Sequence, residues 1–126
     1  MTVRPGEAVR IRRAYEEPGP DDGRRVLVDR VWPRGRTRDE LHLDAWEREL
    51  APSNELRRWF GHDPARWEEF RERYRAELAS PERRDLLDNL ATRARAGRVT
   101  IVFGARDEEH NQAVVIAEEV RARLAL

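Results

Sequence analysis

Two apolar periods alternate along this chain. Residues 8–13 set Val9 and Ile11 against Arg10 and Arg12, the period of two expected of a half-exposed edge strand. Val26-Leu27-Val28 and Val99-Thr100-Ile101-Val102-Phe103 are instead continuous runs rich in β-branched residues. Such runs suit central strands buried on both faces, as a parallel sheet requires. Between the first two strands lies Glu16-Glu17-Pro18-Gly19-Pro20-Asp21-Asp22-Gly23, whose prolines and glycines predict a polar loop.

Elsewhere the period is helical and well punctuated. Thr37-Arg38-Asp39-Glu40 fits a capping box, and Leu41, Ala45 and Trp46 predict the inner face of a helix running to Leu50. Pro52-Ser53 opens a short helix carrying Leu56, Trp59 and Phe60, which Gly61 closes. Asp63-Pro64 and Ser80-Pro81 each place an N-cap before a proline at the first helical position. The first of these helices stripes Trp67, Phe70, Tyr74 and Leu78 along one face. The second stripes Leu86, Leu87, Leu90, Ala91 and Ala94 until Gly97. A last helix, from about Glu108 to Leu124, buries Ala113, Ile116, Ala117, Val120 and Leu124. Trp59, Phe60, Phe70 and Leu90 are expected in the core.

Buried parallel strands joined through helices predict an α/β fold, a single layered domain over residues 1–126 with a small, mainly parallel sheet flanked by helices. Residues 26–28 and 99–103 should be adjacent central strands. In such sheets ligands sit outside the carboxyl ends of the strands. Here those ends are residues 29–36 and 104–111, two charged, glycine-containing segments converging on one edge.

Composition narrows the chemistry. Charged residues make up 40%, balanced at 25 basic and 25 acidic, so no net field steers the molecule toward nucleic acid or anionic lipid. Every basic residue is arginine; the absence of lysine excludes Schiff-base catalysis and a Walker-type phosphate lysine. The absence of cysteine excludes thiolate nucleophiles, cysteine–zinc sites and disulfides. No apolar run approaches membrane-spanning length, and residues 1–7 lack the apolar segment of a signal peptide. The expectation is a soluble cytoplasmic protein without a cofactor; the sequence leaves its oligomeric state open.

Three places carry candidate chemistry. In Val28-Asp29-Arg30-Val31-Trp32-Pro33-Arg34-Gly35, arginines 30 and 34, with Arg36 beyond them, offer the bidentate geometry that holds phosphate or carboxylate. Asp29 would orient one of them or act as a base, and Trp32 would wall or stack the ligand. The alternative is structural: Asp29 and Arg30 paired with each other or with Asp44, and Trp32 filling the core edge. In Gly104-Ala105-Arg106-Asp107-Glu108-Glu109-His110-Asn111-Gln112, a strand, a glycine and a helix start make a generic anion site without a glycine-rich fingerprint. His110 would handle protons and Asn111 would contact the ligand; the plain reading makes Asp107 an N-cap. At the third place, His62 sits at a helix break among Trp59, Phe60 and Trp67. Asp29, His62 and His110 have no local metal-ligand spacing, so no metal is expected. Arginines 57, 58, 66, 71, 73 and 75 share their helices with glutamates 68, 69, 72 and 77, which argues against nucleic acid.

These segments, with Leu43-Asp44-Ala45-Trp46, Ala51-Pro52-Ser53-Asn54-Glu55-Leu56-Arg57-Arg58-Trp59-Phe60-Gly61-His62-Asp63, the Phe70, Tyr74, Glu77-Leu78 helix and His110-Asn111-Gln112-Ala113, resemble the YeaO-like proteins, the short form of domain of unknown function 488. The resemblance covers nearly the whole chain. It implies a small cytosolic bacterial α/β domain and no particular reaction. Longer relatives carry a cysteine and a histidine near the segment matching residues 110–113, but thiol chemistry cannot carry over to a chain without cysteine. The functional expectation is binding of, or action on, a small anionic compound at Asp29, Arg30, Trp32, Arg34, His110 and Asn111. The alternative is a non-catalytic interaction domain that docks a protein through the Arg- and Trp-containing loop.

Overall fold

The computed structural model describes residues 8–125; the expectation about a signal peptide fell on residues 1–7, which lie outside them, as does Leu126. Four strands, β1 (Val9–Arg13), β2 (Arg24–Leu27), β3 (Ala45–Trp46) and β4 (Val99–Phe103), form one all-parallel sheet in the order β1-β4-β2-β3. Val26 pairs with Ile101 and Leu27 with Val102, so the two apolar runs are adjacent and central. β1 is an edge strand, as its alternation predicts.

Side-chain alternation gives this sheet two unlike faces. On one, Val9, Val26, Val28, Val99, Ile101 and Phe103 join the main core. All the longer helices pack there: α2 (Asn54–Phe60), α3 (Trp67–Leu78), α4 (Pro81–Ala96) and α5 (Gln112–Leu124). On the other face, Leu27 and Val102 meet only a small cluster with Ala14, Leu41, Trp32, Leu43 and Trp46. Both faces of the central strands are covered, one by helices and the other by loop.

The loop-covered face explains how a connection of ten residues, 14–23, can join parallel strands β1 and β2 without a helix. It crosses over β4, where Thr100 donates its hydroxyl to the Asp22 carbonyl (2.7 Å). It then enters β2 through Gly23, at φ 63°, where a Cβ would lie 2.1 Å from the Arg98 carbonyl oxygen. Beneath the loop Asp22, only 1% exposed, accepts hydrogen bonds from Arg10 (2.9 Å), Arg25 (2.6 Å) and the Gly19 amide (2.9 Å).

One expected helix does not form. The Thr37–Glu40 capping box is present in both directions, but α1 (Arg38–Leu41) is a single turn, ended by His42 in the left-handed region at φ 48°. The chain then becomes β3, fixed to β2 by Asp44, whose amide donates to the Arg25 carbonyl (2.8 Å) and whose carboxylate accepts from the Arg25 amide (2.8 Å). Leu41, Ala45 and Trp46 satisfy a helical spacing, yet they divide between the two sheet faces: Ala45 meets the main core, Leu41 and Trp46 the smaller cluster. Pairing to an open sheet edge outweighs a helical pattern only two turns long.

Of the remaining caps, Ser53 and Asp63 follow the sequence, while Ser80 stands at the N-cap of α4 without a side-chain cap bond. Ser53 accepts from the Leu56 amide (3.1 Å), and Asp63 accepts from the Ala65 amide (3.0 Å) in a 3₁₀ turn leading into α3. The last helix begins at Gln112 rather than Glu108, because Asn111 is its N-cap, accepting from the amides of Ala113 (2.9 Å) and Val114 (3.2 Å). Phe60, Phe70 and Leu90 are buried; Trp59 stays half-exposed beneath the guanidiniums of Arg66 and Arg73. Among the described residues no helix is long and apolar enough to cross a membrane.

Candidate functional site

Val28 continues the ladder by donating its amide to the Val102 carbonyl (3.1 Å), and the chain leaves the sheet at Asp29. Its carboxylate reaches sideways across the strand ends. One oxygen accepts from the Gly104 amide (2.9 Å), just past β4, and the other from the side-chain amide of Gln112 at the start of α5. A Cβ on residue 104 would lie 2.7 Å from the carboxylate, so a glycine there lets the two segments approach. The Asp29 carbonyl accepts the Trp46 indole N–H (2.6 Å). One aspartate thus joins the ends of β2, β3 and β4 to a helix.

Beside it opens a cleft of about 320 Å³, within the range of small-molecule sites. Asp29, Arg30, His62, His110 and Asn111 line it, with Arg57, Arg58 and Gln112; Val31, Pro52, Phe60 and Phe70 are among its apolar walls. The strand-end rule therefore brings four of the six candidate residues together. The other two lie outside the lining. Trp32 packs edge-on against Trp46 (centroids 5.2 Å apart, planes at 71°) and donates its N–H to the Arg36 carbonyl (2.6 Å). Arg34 is exposed, its carbonyl accepting the Tyr15 hydroxyl (3.0 Å). Asp29 and Arg30 are not paired with each other: Arg30 donates to the carbonyls of Ala51 (3.3 Å) and Pro52 (3.4 Å), contacts long enough to be weak.

The cleft side chains differ in freedom. Asn111 is buried and committed, capping α5 with its oxygen and donating its nitrogen to the Asp107 carbonyl (2.8 Å). His110 holds Nδ1 against an Asp107 carboxylate oxygen (2.9 Å) and sets its ring edge-on to Trp67 (5.3 Å, 83°), leaving Nε2 as the uncommitted nitrogen. Asp107 also accepts from the amides of Glu109 and His110, and these bonds hold its carboxyl below the usual range. It caps the turn that presents the histidine, not the helix. Among the described residues Arg57 hydrogen-bonds only to Asn54 (3.2 Å). Among the described residues no ion pair involves Arg30, Arg57 or Arg58, whereas Arg71, Arg75 and Arg123 all grip carboxylates. Nor do any three histidine, aspartate or glutamate side chains come together as a ligand set among those residues.

Asp29 is the only acid of the lining. Burial pushes its carboxyl up to about 6, against the opposing pull of the Gly104 amide, the Gln112 amide and the Arg57 charge. It is mostly ionised at pH 7 and mostly protonated at pH 5, a perturbation typical of clefts that hold ligands.

Arg57, Arg58 and Gln112 emerged only from the fold. In sequence the two arginines read as part of a solvated helix face. The available signal was Gly61, which ends α2 and so places both in its last turn. Gln112 follows the true N-cap, and its signal was hidden by the earlier helix start expected from Asp107.

Over residues 8–126 the chain matches the model of a family described as the inactive DUF488-N3 subclade. It is 41% identical over 115 residues to an uncharacterized protein of Mycobacterium tuberculosis, covering 91% of this chain and 95% of that protein. An identical match is found to an uncharacterized protein of Mycobacterium bovis. The uncharacterized protein YeaO of Escherichia coli is 38% identical over 114 residues, covering 90% of this chain and 97% of YeaO. No solved structure matches. A strand-end cleft closed by Asp29, Gly104 and Gln112 is thus carried by a chain that belongs to the YeaO-like DUF488 family.

Proposed function

We propose that this protein binds a small anionic compound, bearing a phosphate or a carboxylate, in the cleft at the carboxyl ends of β2 and β4. The observation that carries this reading is the group of three guanidiniums, Arg30, Arg57 and Arg58, that line one cleft beside a single acid, with no ion pair to any of the three among the described residues. Guanidinium forks match the planar geometry of both anions. His110, its ring fixed by Asp107, adds a nitrogen that can donate when protonated.

The matching family's description as inactive favours binding over turnover. The docking alternative uses the Arg- and Trp-containing loop, and its aromatic anchor is weakened because the Trp32 ring packs on Trp46 and its N–H is already donated. Arg57 and Arg58 therefore join Arg30, in place of Arg34 and Trp32, as the residues expected to hold the ligand.

The test is a thermal-shift series with inorganic phosphate, sulfate, nucleotides and di- and tricarboxylates, on the native protein and on the Arg57→Ala/Arg58→Ala double variant. At a hundredfold excess over Kd a ligand stabilises by about 2.7 kcal/mol. Stabilisation of the native protein that disappears in the double variant supports the reading. An equal response of both proteins, or none from either, would overturn it.

A further inference from the structure

We propose that the compound held by the three arginines also carries an N–H donor, an amine or an amide, that Asp29 accepts: the ligand class is an amino-bearing organic phosphate or carboxylate. This rests on the anion reading above and adds a second recognition point to it.

The argument begins with what Asp29 is not needed for. Its bonds from the Gly104 amide and the Gln112 side chain join the strand ends, but a neutral amide could serve both. An asparagine would accept from Gly104 and donate to the Gln112 oxygen after a flip of that amide. The charge adds a desolvation cost to the same joinery, and no cation contacts it; Arg57 acts on it from a distance. A carboxylate has acceptor sites for about four donors. The protein fills one on each oxygen, leaving acceptor capacity for a molecule in the cleft.

The surroundings fix what that molecule must be. Apart from Asp29, the ionisable groups of the lining are Arg30, Arg57, Arg58, His62 and His110, with Asp107 behind His110 and the buried Tyr74 close enough to sense the Asp29 charge. A purely anionic ligand gains from the arginines and is repelled by Asp29. A ligand with an anion at one end and an N–H at the other satisfies both poles. Its carbon skeleton would lie along Val31, Pro52, Phe60 and Phe70.

Phosphoethanolamine and phosphocholine test this directly, since both join a phosphate to a cation and only the first has N–H donors. The longer pair, 3-aminopropyl phosphate and its N-trimethyl analogue, covers a second spacing. By calorimetry at pH 7.5, one amine should bind at least tenfold more tightly than its trimethyl partner. That ratio should shrink toward one in Asp29→Asn, and in the native protein at pH 5, where Asp29 is protonated. Phosphate ionisation changes over the same range, but equally within each pair, so the ratio isolates Asp29. The pH arm stands even if the variant fails to fold. Equal affinities within both pairs, or a preference untouched by both pH and Asp29→Asn, overturn the proposal and leave the anion reading intact. If neither pair binds and no anion of the thermal-shift series does, the anion reading fails and this one falls with it; if a carboxylate of that series binds and neither pair does, this proposal is overturned and the anion reading stands.

Discussion

Two aspartates lie at opposite ends of the same sheet, Asp22 buried and Asp29 half-buried, and their surroundings treat them in opposite ways. Asp22, at the amino end, has Arg10 and Arg25 on its carboxylate and Arg12 close by. Burial alone would raise its pKa, but the Gly19 amide and Arg25 outweigh that and hold it below the ordinary range. Asp29, at the carboxyl end, has two neutral donors and no contacting cation, and burial wins. The first charge is internally compensated and serves the fold. The second is left partly uncompensated beside a cleft, where a partner from outside can reach it. Arginine placement decides the difference: this chain has enough guanidiniums for both, yet those near Asp29 face the cleft.

The largest effect expected from breaking this contrast is at Asp22. Asp22→Asn removes the counter-charge from Arg25, which is 3% exposed and also donates to the Leu41 carbonyl (2.8 Å). Breaking a buried pair by removing one partner costs about 3–5 kcal/mol. Urea unfolding at pH 7 should show a loss of that size, and a loss under about 1 kcal/mol would mean that Arg25 finds water.

Asp29→Asn should move stability the other way. A folded pKa near 6, above an unfolded value of about 3.9, means that the folded state holds its proton more tightly. The stabilisation from that proton is complete below the unfolded pKa and is lost as pH rises through 6. At pH 7.5 the ionised carboxylate therefore costs the native protein up to roughly 3 kcal/mol relative to acid conditions. The asparagine escapes this cost, so it should be about 1–3 kcal/mol more stable than the native protein at pH 7.5 and no more stable at pH 4. For Asp22 the sign is reversed: its lowered pKa contributes stability above the unfolded value, lost as pH falls through the folded one. From pH 8 to 4 the unfolding midpoint of Asp29→Asn should converge on that of the native protein, whereas the Asp22→Asn deficit should hold across that range and shrink only at lower pH. A native-like pH profile for Asp29→Asn would show that the carboxyl is not perturbed.

How much of this contrast was readable beforehand follows from what each part depends on. The two central strands were legible because each is a short, β-branched run, broken only by Thr100, whose lack of alternation points to burial on both faces. The strand-end rule then located Asp29, Arg30 and His110 without any further information. Asp22 was hidden: it sits in a polar loop, and only the crossing of that loop over β4 buries it. The same crossing gives Arg10, Arg12 and Arg25 a role, although the alternation of the first two reads as a solvated strand face. Trp32 was misleading for a related reason. A tryptophan in a charged turn signals a binding wall or a small core, and the cluster on the loop-covered face is that core. The helix expected over residues 37–50 failed because its spacing, unlike that of α3 and α4, extended over too few turns to outbid an open strand edge.

Gly104→Ala should show a smaller loss, about 1–3 kcal/mol, because the new methyl group meets the Asp29 carboxylate at 2.7 Å and one of the two must shift. The clash is specific to that pair. In an Asp29→Ala background the added cost should fall by at least half, which a double-mutant cycle of unfolding free energies would read. Additive costs would place the strain elsewhere in the loop after β4.

The smallest effect sharpens the comparison most directly. Arg57 is exposed and, among the described residues, bonded only to Asn54, so Arg57→Ala should leave stability within about 0.5 kcal/mol of the native value. Its charge nevertheless pulls the Asp29 carboxyl down, against the burial that raises it. Removing it should move the Asp29 titration upward from about 6, as followed by carboxyl-carbon NMR across pH 4 to 8. Added salt should mimic part of that shift in the native protein and little of it in the variant, since screening acts on the charge that the variant lacks. Asp22, held by direct contacts with Arg10 and Arg25, should titrate unchanged under the same substitution. A titration of Asp29 indifferent to both salt and Arg57 would mean that its carboxyl is set by burial and by the Gly104 and Gln112 amides alone. The cleft arginines would then be electrically separate from the acid beneath them.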